Sequence, residues 1–352
     1  MKPVGDESLV ELLARHARVA AETLPPDAYD YIATGSGEEI GLREAIEAWR
    51  SYRLRPHVLR DVSVVSTATE VLGHRLSAPI LVAATAYHGL AHRDGELETA
   101  RGVNAARALI VLSTRVTHRI EDIALQLEGP WWLQVYVMRN RELTRQLVLR
   151  AVAAGATALV LTGDTPYLGR KPRQGEPPVS DEQYLVNLTE HVAPGEDALR
   201  AASMDASITL DTIAWLREMS GLPVLVKGVL RADDAAACVE AGAAGVIVSN
   251  HGARQLDRTV PTAAALEQVV GSVGARVPVL VDGGVRSGVD VLVAIALGAR
   301  AVLVGRPVLW ALAADGARGV ADALNALRDD LAHAMGLAGV TSIAAIGRDL
   351  IA

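Results

Sequence analysis

The sequence predicts an α/β fold: a closed (β/α)8 barrel of the TIM type, with an N-terminal helical segment and a long loop after the fourth strand. Two observations carry that prediction. Eight short apolar runs, at residues 80–85, 108–112, 131–135, 158–161, 224–226, 245–248, 279–281 and 301–304, alternate with segments of helical periodicity. They are nearly continuous in Val, Ile, Leu and Ala, as strands of a parallel sheet covered on both faces must be. Three junctions also share one design, helix, Gly, Ala, strand: Ala154-Gly155-Ala156, Ala241-Gly242-Ala243 and Leu297-Gly298-Ala299. Glycine there suits the left-handed residue that closes a helix.

The elements follow in order. Residues 7–22 place apolar side chains at helical spacing. A second helix follows Pro25-Pro26-Asp27 and carries Tyr29-Asp30-Tyr31, and residues 38–52 read as a third. Gly35-Ser36-Gly37 bears a slight likeness to a dinucleotide fingerprint, but it follows a helix and not a strand, so it reads as a helix-ending turn. Residues 63–77 alternate around Gly73-His74 as a hairpin closing one end of the barrel. Residues 308–349 supply the last outer helix and a C-terminal extension. The chain thus reads as one domain, with helices up to residue 62, the hairpin at 63–77, the barrel at 78–310 and C-terminal helices at 311–352. The connection 162–222 is too long for an ordinary strand–helix link. Its middle, 170–178, is rich in Pro, Gly and charge, which suits a lid or mobile loop, or a solvated excursion without function.

Composition narrows the functions. Of 352 residues, half are hydrophobic and 21% charged, enough to bury a large core. A formal net charge of −7, with no Lys/Arg cluster interleaved with aromatics, argues against a nucleic-acid or anionic-membrane surface. The most apolar long stretch, 289–304, is broken by Gly298 and Arg300 and divides into helix plus strand, so no membrane attachment is expected. Cys238 is the one cysteine; it leaves no intrachain disulfide or cysteine-based zinc site and reads as a small core residue on a helix. The first eight residues are acidic and lack the apolar core of a signal peptide, which points to the cytoplasm. His88 and His92 stand four apart, but the pattern places no carboxylate beside them, and no metal is expected. Phenylalanine is absent, for no evident physical reason.

In such a barrel, catalytic groups collect at the carboxyl ends of the strands. Strand by strand these ends read Ala84-Thr85-Ala86, Ser113-Thr114-Arg115, Gln134-Val135-Tyr136, Thr162-Gly163-Asp164, Lys227-Gly228, Ser249-Asn250-His251, Asp282-Gly283-Gly284-Val285-Arg286 and Gly305-Arg306. The glycine-rich turns after the last two strands expose backbone N–H groups beside Arg286 and Arg306, a phosphate-binding arrangement. The hydroxyls, the amide and the lysine suit a flat polar ring. Together they point to FMN, with a phosphorylated sugar as an equal alternative on the residues alone. His251 can take a proton near neutral pH and Arg254 can hold a carboxylate with two parallel hydrogen bonds, which suggests chemistry at the carbon beside a carboxylate. Taken in isolation, the pair fits a polar loop capping a helix better.

The run Ser249-Asn250-His251-Gly252-Ala253-Arg254-Gln255-Leu256-Asp257 resembles the signature of the FMN-dependent 2-hydroxy-acid oxidase and dehydrogenase family, which includes glycolate oxidase, lactate oxidase and mandelate dehydrogenase. Tyr29-Asp30-Tyr31, Arg53-Leu54-Arg55-Pro56, Leu133-Gln134-Val135-Tyr136, Thr162-x-Asp164-Thr165-Pro166, Lys227-Gly228 and the run from Asp282 to Arg286 match in the same order, so the resemblance covers nearly the whole chain. It implies that His251 removes the substrate proton, that Asp164 stabilises its protonated form, that Arg254 and Tyr31 hold the substrate carboxylate and that Tyr136 holds the α-hydroxyl. It implies further that Lys227 lies by the N1/C2 carbonyl edge of the flavin and that Thr85, Ala86, Ser113, Gln134, Thr162 and Ser249 line the ring and ribityl chain. Gly284, Arg286, Gly305 and Arg306 would hold the phosphate, and Ala84, Asp282 and Gly283 would complete the cofactor site.

Two residues depart from the family pattern. Arg115 stands where glycolate oxidase-like members carry an aromatic residue over the pocket, and Lys171 stands where they carry a second arginine. A lysine gives a point charge in place of a bidentate fork. Both are candidate substrate residues and suggest a substrate larger than glycolate or lactate with a second polar or anionic group, unless both side chains point to solvent. The stretch from Ala86 to His92 resembles actinobacterial hydroxymandelate oxidases, which implies a mandelate-like acid, and Ala86 stands where an alanine beside flavin N5 accompanies oxidases. The expected activity is FMN-dependent oxidation of an (S)-2-hydroxy acid to the 2-oxo acid, with oxygen reduced to hydrogen peroxide. Its rivals are a dehydrogenase with another acceptor, a decarboxylating monooxygenase, and a flavin-binding barrel without turnover. The full set of His251, Arg254, Asp164, Tyr136 and Lys227 argues against the last. The family's habit implies a homotetramer or larger.

Overall fold

The computed structural model describes residues 7–173, 178–188, 192 and 197–352. The first six residues, and residues 174–177 of the Pro- and Gly-rich stretch, lie outside the described residues.

Three helices come first, each where the periodicity places one. Helix α1 (Leu9–Thr23) opens with a capping box in which Ser8 and Glu11 satisfy each other's backbone donors. Helix α2 (Pro26–Ala33) has proline in its first turn, where no donor is lost, and α3 (Ile40–Arg50) follows the Gly35-Ser36-Gly37 turn. The hairpin is shorter than its sequence pattern: β1 (Thr69–Val71) pairs antiparallel with β2 (His74–Leu76) around Gly73, which has φ +81.

Eight parallel strands then close a barrel, confirming the predicted fold: β3 (Ile80–Val82), β4 (Leu109–Leu112), β5 (Trp131–Val135), β6 (Ala158–Thr162), β7 (Val224–Val229), β8 (Gly245–Val248), β9 (Val279–Asp282) and β10 (Ala301–Val304). Closure is made by β10 pairing with both β9 and β3. Residues alternate along each strand. Leu81, Leu109, Trp132, Val160, Leu225, Ile247, Leu280 and Leu303 fill the interior, and Val71 and Leu76 of the hairpin join that cluster and stopper one end. The alternate set packs outward on the helices, which is why the strands read as continuously apolar. The three junction glycines have φ of +96, +96 and +99, the conformation expected of them.

Three departures bear on the site. Strand β3 stops at Val82, Ala83 N still donates to the Val304 carbonyl (2.9 Å), and Ala84 and Thr85 follow at the barrel mouth. Strand β7 runs on past Lys227 because its pairing slips at Gly228, whose φ of +103 and bare Cα let the side chain of Asp164 pack against it. The C-terminal helix (Arg306–Ala338) is broken at Asp315-Gly316, where the backbone leaves helical angles. The connection after β6 carries two short helices, Asp181–Tyr184 and Ala198–Ala202, before the outer helix Asp211–Ser220. Among the described residues no helix is long and apolar enough to cross a membrane.

Candidate active site

The carboxyl ends of the strands open into a cleft lined by residues from several strand ends and from the helix that carries Tyr31. The turn after β8 sets its chemistry. His251, Gly252 and Ala253 all take left-handed backbone angles, φ 59, 62 and 59, which turns the chain back across the mouth. The backbone N–H of His251 donates to Ser249 Oγ (3.1 Å), and the same oxygen accepts from Lys227 Nζ (2.9 Å).

On its two sides the His251 ring meets groups from other strands. Nδ1 lies 3.1 Å from Asp164 Oδ1, and Nε2 lies 3.3 Å from the hydroxyl of Tyr136. A carboxylate can only accept, so Nδ1 carries the proton and Nε2 presents its lone pair to the cleft side. Burial holds His251 below the ordinary imidazole value, and the charge of Lys227 adds to this, while Asp164 pulls the other way. Burial pushes the Asp164 carboxyl up, but the hydrogen bond and charge of His251 and the charge of Lys227 outweigh it and hold Asp164 ionised. The resting pair is a neutral base backed by a carboxylate.

Arg254, one turn further, lies over the Tyr31 ring at 4.9 Å and donates to the carbonyls of Tyr31 and Thr34 at the end of α2. Tyr31 thus stands beside the arginine although 223 positions separate them. Lys171 Nζ is 5.9 Å from the same ring. Arg115 is buried, but its guanidinium stacks on Tyr184 at 4.1 Å and donates to the carbonyl of Ala202. Those partners sit on the two short helices after β6. Neither Arg115 nor Lys171 lines the cleft wall.

A polar belt crosses the strand ends below. Gln134 accepts from Ser113 Oγ (3.1 Å) and donates to Thr162 Oγ1 (2.7 Å). Lys227 and Asp282, both nearly inaccessible, form an ion pair at 3.3 Å. At the opposite end Arg286 and Arg306 are half-buried, and their N–H groups go to the carbonyls of Val285, Ile32, Gly252 and Thr34. Burial pushes both guanidiniums down, to about 10 and about 9.

Of the residues proposed from the sequence, Tyr31, Ala84, Thr85, Ala86, Ser113, Tyr136, Lys227, His251, Arg254, Asp282, Gly283, Gly284, Arg286, Gly305 and Arg306 line the cleft. Gln134, Thr162, Asp164 and Ser249 stand behind them. The cleft also takes Ile32 and Leu309, which sequence reasoning missed because ordinary helix-face residues carry no chemical signal. His88 is buried between Thr85 Oγ1 (2.6 Å) and Thr99 Oγ1 (2.8 Å).

Residues 20–352 match the FMN-dependent dehydrogenase family. The chain belongs to that family. It is 43% identical to a peroxisomal (S)-2-hydroxy-acid oxidase of Oryza sativa subsp. japonica, across 97% of this chain and 96% of the relative. It is also 43% identical to glycolate oxidase 3 of Arabidopsis thaliana, across 95% and 93% of the two chains. Among solved structures it resembles a mandelate oxidase with (S)-4-hydroxymandelic acid (TM-score 0.87, 39% identity, 97% and 98% covered). A soluble mutant of the membrane-associated (S)-mandelate dehydrogenase of Pseudomonas putida is similar too (TM-score 0.91, 37% identity, 97% and 98% covered). The chain is therefore an FMN enzyme acting on CH–OH, in the (S)-2-hydroxy-acid oxidase and dehydrogenase family.

The cleft fits FMN. Asp282 Oδ1 is buried without a partner, as an acceptor awaiting a polyol hydroxyl would be. The two half-buried guanidiniums and the Gly283-Gly284 backbone suit a phosphate, and the Ser113–Gln134–Thr162 belt suits a ring with alternating donors and acceptors.

Proposed function

We propose that the enzyme oxidises an (S)-2-hydroxy acid with a mandelate-like side chain to the 2-oxo acid, with oxygen as acceptor and hydrogen peroxide as product. The carrying observation is His251 held between Asp164 and Tyr136 beside Arg254. Arg254 and Tyr31, with Lys171 near, hold the carboxylate. Tyr136 orients the substrate hydroxyl, and His251 Nε2 takes the proton that leaves. Asp164 stabilises the imidazolium so formed. Bound FMN supplies the two-electron acceptor. Lys227, fixed by Asp282 and Ser249, places a positive charge where electron density arrives, and Arg286 and Arg306 hold the phosphate.

The mandelate oxidase similarity and Ala86 at the cleft wall support the aromatic substrate and the oxygen acceptor. The glycolate oxidases among the relatives make glycolate the natural competitor substrate. An absorption spectrum of the purified protein, before and after racemic mandelate is added without oxygen, tests the reading. Flavin absorption that bleaches and returns with peroxide on admitting air supports it. Bleaching without return in air points to another acceptor, a shortened acid points to decarboxylating oxygenation, and bleaching by glycolate alone overturns the aromatic substrate. We further propose a homotetramer or larger assembly working in the cytoplasm, which sizing of the native protein and fractionation of cells test.

A further inference from the structure

Helix α3 lacks a cap of its own. Its first flanking residue, Glu39, has φ 58 and makes no side-chain capping bond. The donors are met from across the chain instead. Asp257 Oδ1 accepts from Gly41 N (2.9 Å), and Asp257 Oδ2 accepts from Glu38 N (2.9 Å) and Ile40 N (3.4 Å). This is the work of an N-cap carboxylate, done by a residue more than 200 positions away. The fit is close: Gly37 has φ +56, and a Cβ there would lie 2.9 Å from the Asp257 side chain.

The two segments joined in this way carry the carboxylate clamp. Arg254 stands three residues before Asp257 and bonds to the carbonyls of Tyr31 and Thr34, and Ser36 N donates to the Ala253 carbonyl (2.9 Å). The loop's run of left-handed residues, His251 to Ala253, is a backbone that persists only where the surroundings hold it. Backbone donors, Gly41 first, hold the Asp257 carboxyl below its usual range, so it is ionised when it caps.

We propose that Asp257 is a positioning residue: by capping α3 from the signature loop, it fixes Arg254 against Tyr31 and so sets affinity for the substrate carboxylate. The proposal rests on the carboxylate-clamp reading above. It predicts a specific loss. Apart from Ser249, the flavin contacts lie on other strand ends and survive removal of Asp257, whereas carboxylate recognition weakens.

The test uses FMN-loaded enzyme and unreactive carboxylates lacking the 2-hydroxyl, acetate and phenylacetate, with their amides as controls. Binding is read from the change in flavin absorption. In D257A, carboxylate dissociation constants rise by about tenfold to a hundredfold, the range of hydrogen bonds to charged groups, while the amides and FMN bind as before. D257N keeps one acceptor oxygen and falls between. With the true substrate the loss appears in KM more than in kcat. If D257A has a lower melting temperature but unchanged carboxylate binding, Asp257 is structural only and the proposal fails. If D257A does not fold, unchanged carboxylate binding in D257N overturns it equally. If wild-type enzyme distinguishes neither acid from its amide, the clamp reading itself fails, and the role of Asp257 falls with it.

Discussion

Nδ1 of His251 lies 3.1 Å from Oδ1 of Asp164, and the second oxygen of that carboxylate is buried with no partner of its own. The imidazole is therefore the carboxylate's hydrogen-bond partner, with the charge of Lys227 acting beside it. In D164N the counter-charge is lost, and kcat falls by about a hundredfold or more, within the span of general-base effects.

The pH profile reports the same pair. Burial and Lys227 hold His251 below the ordinary histidine value, and Asp164 raises it. A base must be unprotonated to act, so kcat/KM rises with pH through this lowered value and stays high at neutrality. In D164N the acid limb moves to still lower pH even as the plateau drops. A limb that does not move separates Asp164 from the titration.

Lys171 gives the alkaline side. Burial, with Arg254 and Arg306 adding repulsion, pushes its ammonium down to about 8. Its charge is present below that pH and lost above it. The KM for a 2-hydroxy acid is therefore expected to climb in alkaline solution, and K171R should flatten the climb because arginine keeps its charge. A wild-type KM that is flat through this range removes Lys171 from substrate binding.

The Lys227–Asp282 pair is buried on both sides. In K227M the carboxylate is left unpaired in a nearly dry site, a change that costs about 3–5 kcal/mol. Urea unfolding of flavin-free protein measures it. An unchanged midpoint means that water reaches Asp282.

Gly284 holds φ +82, and a Cβ there would strike the carbonyl oxygen of Ala45 in α3. G284A should push α3 off the turn after β9 and weaken FMN retention, with strain of about 1–3 kcal/mol from the backbone alone. Equilibrium dialysis against FMN gives the measure, and wild-type affinity in G284A contradicts the close approach.

Much of this was legible beforehand. The strands showed as apolar runs because a sheet buried on both faces leaves no polar alternation, and Gly155, Gly242 and Gly298 marked helix ends because their φ favours glycine. Arg115 was not legible. It follows β4 toward the pocket, yet a long side chain has many directions open to it, and Tyr184 and Ala202 decide the one taken. The cap that Asp257 supplies to α3 was hidden for the same reason: α3's periodicity shows a helix but not which distant carboxylate closes it.

By itself, then, the sequence determined the barrel, the order of residues at its strand ends and the family signature from Ser249 to Asp257, since apolar periodicity and motif spacing are local properties of the chain. Which of those residues meet was decided only by the tertiary structure. Tyr31, Tyr136, Asp164 and His251 come from four separate elements. Barrel closure, the slip at Gly228 and the left-handed turn after β8 bring them together, and each depends on packing between segments far apart in the chain.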